Sequence, residues 1–300
     1  MSNRVIARYF YSPICPESFA ALERLSNLFS KWDEFLFEVI NLAENEIVPG
    51  YKWFPEEQEL VDTYQGNGVK PLLYAKLFIN GEEIKGFPPS KKHLEETLLR
   101  YSIVLDKNDY SYNYGTFPPH NRIECDEKEF KFSLYNQNNI NDACKICTKY
   151  HPYLHEEAYL LDDWSEFEKK KENFVNKKLK ADEMLGVIAY YKNRSAGFIE
   201  AFTLNNSSIL GFPVSEINEN GLMITCLSVC SEFSGYGLAK RLIFELEAEA
   251  KAAGYKSIEV LAFPDEDSWQ PFSLYAKLDF IQNIAFENGL ILMKKQIDCV

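Results

Sequence analysis

The residues best suited to chemistry stand where an apolar run gives way to a helical one. Leu222 to Val229 is a buried strand by composition, and it leads into Ser234-Gly235-Tyr236-Gly237-Leu238-Ala239. A glycine-bearing turn from strand to helix presents main-chain N–H groups to an anion, and the helix dipole adds to them. The glycines let a ligand approach the backbone closely. This is not the dinucleotide fingerprint G-x-G-x-x-G, because Lys240 holds the third glycine position, and no Gly-Lys-Ser/Thr follows to make a P-loop. A plain tight turn would carry the same residues.

Two further clusters bear chemistry. Cys15 precedes Pro16, a residue suited to the first turn of a helix, so the thiol is expected at a helix N-terminus. Free N–H groups and the dipole lower a thiol pKa there. Cys15 is therefore a redox candidate, or else a residue on a scaffold used for docking. Cys144-x-x-Cys147-x-x-x-His151-x-x-x-His155 has zinc-ligand types. On a continuous helix the four span about three turns and cannot meet at one ion. Pro152 permits a bend, but packing or a substrate-side loop is the simpler reading, and no metal is expected.

The elements that must hold these groups follow from periodicity. Val5 to Tyr11 reads as a strand, broken by Ser12-Pro13, and Phe19, Leu22, Leu25, Leu28 and Phe29 form a helical stripe after Cys15. Phe35 to Leu42 reads as a second strand. Leu77 to Ile84 reads as a hairpin turning on Asn80-Gly81, and Ser90 to Tyr101 as a helix. Asn108 to Lys128 lacks apolar periodicity and contains Pro118-Pro119, so it reads as a linker. The expected division is 1–107, a linker 108–128, and 129–300.

In the second part, Trp164 to Glu183 reads as a solvated helix. Met184 to Tyr191 and Ala196 to Leu204 read as strands around a turn at Lys192-Asn193-Arg194. The helix after the glycine turn carries Leu238, Leu242, Ile243, Leu246 and Ala250 inward and ends at Gly254. Ser257 to Phe263 is the next strand and Phe272 to Leu278 a short helix. Ile281 to Phe286 and Leu290 to Lys294 form a last hairpin around Glu287-Asn288-Gly289. The fold class is α/β (α+β).

Composition bounds the function. A chain of 300 residues is about two domains long. Hydrophobic residues make up 46%, enough for packed cores and against global disorder. Lys plus Arg is 32 and Asp plus Glu 45, a net charge of −13. That excludes a general nucleic-acid binder and docking on anionic lipid, and favours a cationic partner such as a small-molecule or peptide amine. An anion site in so acidic a chain needs local positive potential, which Lys240 and Arg241 are placed to supply. No run of about 18 apolar residues suggests a membrane span. The first residues do not read as a secretory signal. Seven cysteines at uneven spacing suggest a reducing, cytoplasmic compartment.

With these residues in view, SGYGLAKRLIFELEAEAKAAGYKSIEVLAFP followed by FSLYAKLDF resembles the GNAT acetyltransferase superfamily, over about 129 to 297. The family loop, Arg/Gln-x-x-Gly-x-Gly/Ala, cradles the pyrophosphate of acetyl-CoA. Gly237 and Ala239 fall on its last two named positions, with Gly235, Tyr236 and Leu238 as fillers, and Ser234 departs from Arg/Gln. The resemblance implies acetyl transfer from acetyl-CoA to an amine by direct attack in a ternary complex. It also implies that main-chain groups near Ser228, Val229 and Cys230 receive the thioester oxyanion. Tyr275 matches the general-acid tyrosine, although Asp279 replaces the glycine of the Gly-Phe pair that ends at Phe280. For the base that takes the amine proton, Glu200 is the candidate and Glu232 a second. Glu200 is also explained as an ordinary solvated strand glutamate. Cys226 and Cys230 read as core thiols, with a covalent acetyl-cysteine as the alternative.

The first part resembles the thioredoxin superfamily over about 4 to 102, on SPICPES and FINGEEIKGF. Cys15-Pro16-Glu17-Ser18 keeps a single thiol where that family has two, so dithiol exchange is not expected. Pro71 is the candidate for the proline that precedes the hairpin in that family. The rival functions are a monothiol redox or sensor protein whose second domain binds acyl-CoA without catalysis, and a binding protein with no catalysis.

Overall fold

The computed structural model describes residues 4–44, 52–64, 75–86, 89–106, 122–150, 164–264, 270–286 and 289–297. The chain forms two compact units, one of residues 1–116, 152–171 and 209–211, the other of 117–151, 172–208 and 212–300.

In the first unit, β1 (Val5–Tyr11) leads to α1 (Pro16–Phe29) and β2 (Phe35–Asn41). Then come α2 (Pro55–Tyr64), β3 (Ala75–Ile79), β4 (Glu82–Ile84) and α3 (Lys91–Leu99). The sheet runs β2-β1-β3-β4, with β1 and β2 parallel and the other pairs antiparallel. The hairpin turns on Asn80 (φ 48°) and Gly81 (φ 85°), the left-handed pair a tight hairpin needs. Tyr9, Leu25, Leu28, Phe29, Leu77, Leu94 and Leu98 fill the core between sheet and helices. Its polar feature is Arg8 on β1. Arg8 is 3% exposed, bonds Glu38 at 2.6 Å and pairs with the fully buried Glu57 of α2. The expected proline of this unit, Pro71, lies outside the described residues.

The second unit is built on a seven-stranded sheet of order β10-β11-β9-β8-β7-β6-β5. Its strands are β5 (Phe130–Leu134), β6 (Met184–Tyr191), β7 (Arg194–Thr203), β8 (Gly221–Val229), β9 (Ser257–Ala262), β10 (Ile281–Ala285) and β11 (Ile291–Gln296). Among the described strands of this sheet only β8 and β9 pair in parallel. Helices α4 (Ile140–Tyr150), α5 (Ser165–Lys180, with residues up to Lys171 in the first unit), α6 (Leu204–Ile209, with Ile209 in the first unit), α7 (Leu238–Ala252) and α8 (Phe272–Ala276) complete the order. The β6–β7 turn is Lys192-Asn193, both with positive φ, and Arg194 already pairs with Tyr191. The expected three-residue turn is thus a two-residue one. The expected linker 108–128 is described only from Arg122 on, and those residues belong to the second unit.

Alternation along the strands sends neighbouring side chains to opposite faces. Tyr190 on β6 donates to Asp142 on α4 at 2.8 Å. A methyl on Gly197 of β7, which pairs with Ala189, would meet Leu242 of α7 at 3.3 Å. So α4 and α7 cover opposite faces of the sheet.

Candidate active site

The site begins with a fault in the central strand. Ile224 and Cys226 of β8 pair with the consecutive residues Ala201 and Glu200 of β7, leaving Thr225 as a bulge. A bulge bends its strand and increases local twist. On the other side of β8, pairing with β9 stops at Ile224–Val260, although β8 runs on to Val229 and β9 to Ala262. The two parallel strands therefore part at the bulge. Ser228 and Val229 lie on the parted end of β8, and Cys230 directly follows it, donating its Sγ–H to the Ser195 carbonyl at 3.5 Å.

The chain then turns into α7 through the glycine segment. Gly235 (φ +80°) and Gly237 (φ +65°) both adopt left-handed backbone, and Gly237 is the N-cap. A glycine cap offers no side chain to bond the first-turn N–H groups of Leu238, Ala239 and Lys240, which lack intrahelical acceptors. These groups, with the dipole, could seat an anion beside the strand gap. Residues 122–127 wall it. Ile123 N–H bonds the Glu232 carbonyl at 3.1 Å. The Tyr236 hydroxyl donates to the Ile123 carbonyl at 2.9 Å and accepts from Cys125 N–H at 3.1 Å.

The cations expected at this seat are engaged elsewhere. Lys240 Nζ lies 5.3 Å from the Phe244 ring, one turn along the helix. Arg241 donates to the Glu127 carbonyl at 2.8 Å and packs over Phe130 and Phe132. Glu232, the second base candidate, pairs with Arg194 at 3.3 Å.

Beyond β9, the Phe263 N–H donates to the Gln270 carbonyl and the Phe272 N–H to the Phe263 carbonyl, both at 2.8 Å, and these bonds seat α8 at the end of the strand. Tyr275 on α8 is fully buried against Phe280, at 5.4 Å between ring centres. Its hydroxyl donates to Gln270 Oε1 at 2.8 Å. Burial raises its pKa well above the ordinary phenol value, with the Cys226 thiol adding to the effect, so the phenol holds its proton at neutral pH. Gln270 was not foreseen from sequence. It is fully buried, and its Nε2 finds no hydrogen-bond partner among the described residues.

A strand parted beside a glycine-capped helix, with a protonated buried tyrosine across the gap, suits a thioester bound to a pyrophosphate. Residues 140–280 match the model of the acetyltransferase (GNAT) family. This part of the chain is a GNAT acetyltransferase domain. It is an acyltransferase, and acetyl-CoA is the co-substrate that fits it. A search of curated proteins finds no match to the chain.

Solved structures similar to the chain include PaiA N-acetyltransferase of Thermoplasma acidophilum in complex with coenzyme A, at 15% identity and TM-score 0.42, covering 56% of this chain and 98% of that one. A GNAT-family acetyltransferase of Streptococcus pneumoniae matches at 15% identity and TM-score 0.42, covering 57% and 100%. Aminoglycoside 6'-acetyltransferase type Ii matches at 20% identity and TM-score 0.40, covering 56% and 97%.

Within the GNAT domain Glu200 is not a solvated strand residue. It is fully buried, and its Oε1 accepts the Tyr135 hydroxyl at 3.0 Å. Tyr135 follows β5, and its ring lies where a methyl on Gly186 would be, 2.4 Å away. Burial, then the charge of Glu200, pushes the Tyr135 pKa well up, so this phenol stays a donor. Tyr135→Phe takes that donor from a buried carboxylate and is expected to lower unfolding free energy by about 1–3 kcal/mol, measured by urea denaturation. Sequence could not pair two residues 65 apart, and only the glycine at 186 hints that something large covers that strand.

Cys226 is in register with Glu200 and within electrostatic reach of both Tyr135 and Tyr275, so it marks the centre of the cluster. Cys144 and Cys147 are buried on α4. His151 and His155 lie outside the described residues, and among the described ones no three metal-ligating groups converge. In the first unit, Cys15 stands as expected at the N-cap of α1, with Pro16 at N1, but it is only 3% exposed.

Proposed function

We propose that the GNAT domain transfers the acetyl group of acetyl-CoA to an amine by direct attack in a ternary complex. The observation that carries this reading is the parting of β8 from β9 at the Thr225 bulge, directly before the uncapped, glycine-bounded start of α7. The N–H groups of Gly235 to Ala239 hold the pyrophosphate, and the thioester lies along the open edge of β8. The amine nitrogen attacks the carbonyl carbon, and the oxyanion forms against main-chain groups at Ser228 to Cys230. The carbon–sulfur bond then breaks, and Tyr275 gives its proton to the leaving thiolate. Before the attack Glu200, in register with Cys226 at the gap, takes one proton from the ammonium, directly or through water, and the second proton that the nitrogen sheds as the amide forms restores the Tyr275 phenol.

The acceptor is a small-molecule or peptide amine. The charge of −13 favours a cationic one. Among the described residues no helix is long and apolar enough to cross a membrane, and a cytoplasmic site suits unbridged cysteines. The first unit is a thioredoxin-like docking or specificity module. Its parallel β1–β2 pair followed by the antiparallel β3–β4 hairpin supports that reading. The burial of Cys15 speaks for docking over thiol chemistry.

A ligand specific to the native state stabilises it, by about 2.7 kcal/mol at a hundredfold excess over Kd. Acetyl-CoA is therefore expected to raise the melting temperature in a concentration-dependent way. No shift at saturating acetyl-CoA defeats the proposal.

A further inference from the structure

We infer that Arg122 is the cationic contact to the cofactor's pyrophosphate, an inference that rests on the acetyl-CoA reading above. The glycine turn has no cation of its own. Position 234 is a serine, Lys240 lies against Phe244, Arg241 is bound to the Glu127 carbonyl, and Arg194 is paired with Glu232. A seat for two phosphates in a chain of net charge −13 needs a local positive group to overcome the surrounding field.

Arg122 stands over the turn. A methyl on Gly235 would lie 2.8 Å from its Nη2, 2.9 Å from Cζ and 3.1 Å from Nη1. The guanidinium stacks on Tyr236, with Cζ 4.6 Å from the ring centre. Arg122 is exposed, and among the described residues it makes no hydrogen bond or ion pair. The backbone on its C-terminal side is held, because the next residue, Ile123, is bonded through N–H to Glu232 and through its carbonyl to Tyr236. The result is a planar cation pinned flat on the turn, with its N–H groups open. A guanidinium meets phosphate oxygens through paired N–H bonds, and stacking on an aromatic ring reduces the ordering needed to do so. Gly235 serves this arrangement twice. It supplies the left-handed φ, and its missing side chain leaves room for Arg122.

The test is the affinity of the full-length protein for coenzyme A, by titration calorimetry at low and at high salt, for wild type and Arg122→Ala. At low salt the variant is expected to bind about tenfold or more weakly. At high salt the gap should narrow, because screening removes from wild type the attraction that the variant already lacks. Equal affinity at low salt would overturn the inference. So would a deficit that persists undiminished at high salt, because that marks a purely structural role. If wild type itself fails to bind coenzyme A, the acetyl-CoA reading falls, and this inference with it.

Discussion

Tyr275→Phe is expected to lower kcat by about 10²–10⁴-fold while leaving the Kd for acetyl-CoA unchanged. The hydroxyl is a small part of a ring already locked against Phe280, so its removal leaves the packing of α8 in place. What is lost, on the proposed mechanism, is the proton meant for the leaving thiolate. Burial keeps that proton on the phenol throughout the neutral range. The rate loss should therefore be similar from pH 6 to 9 and not confined to one limb of the profile. Steady-state rates combined with calorimetric binding separate the two parameters. An unchanged kcat would remove the tyrosine from the mechanism. Gln270 enters the same argument, because its Oε1 fixes where the phenol points.

Arg8→Met should destabilise the first unit by about 3–5 kcal/mol, read from the urea midpoint at pH 7. The guanidinium is nearly inaccessible, and its partner Glu57 is wholly buried. Glu57 has further support from Phe54 N–H at 3.0 Å, but its Oε1 meets no partner among the described residues. Removing Arg8 leaves a buried carboxylate without its counter-ion. The pH dependence follows from sign. Burial raises the Glu57 pKa above the ordinary carboxylate value even with Arg8 opposing it. A group whose folded pKa is raised favours the folded state below its unfolded pKa, and that stability is lost as pH rises through the folded value. Without Arg8 the folded value rises further. The variant should therefore recover part of its deficit on acidification from pH 7 toward pH 5. A deficit independent of pH would mean that lost packing, and not stranded charge, is responsible.

Most elements of both units were legible because their signals are local, although α2, β5 and α6 were not foreseen. Asn80-Gly81 marks a hairpin, Gly254 ends a helix, and Leu238 to Ala250 shows one apolar stripe. The glycine turn was legible because its neighbours in sequence are its neighbours in space, whereas Tyr275 was singled out only by the family resemblance. Other features depend on contacts between distant segments and leave no periodic trace. The Thr225 bulge exists only relative to β7. Glu200 reads equally as solvated or catalytic until Tyr135 is seen on it. Arg122 sits in a stretch rich in turn formers, and nothing in that stretch predicts that Tyr236 will hold it. Lys240 and Arg241 follow the turn in sequence, but aromatic rings and a carbonyl draw their charges away from it.

The central strand can also be considered purely as a count of residues. Between the partners of Glu200 and Ala201 the strand carries one residue more than the ladder uses, and the Thr225 hydroxyl bonds the Glu200 carbonyl at 3.4 Å beside that surplus. The opening in the sheet is thus encoded by length as much as by residue type. Deleting a single position there would let Ile224 and Cys226 follow each other on a regular ladder and keep β8 beside β9. Insertions and deletions are usually tolerated in loops, yet in this unit a one-residue change inside a central strand, buried over Gly221 to Thr225, would separate a sheet with a cleft from one without.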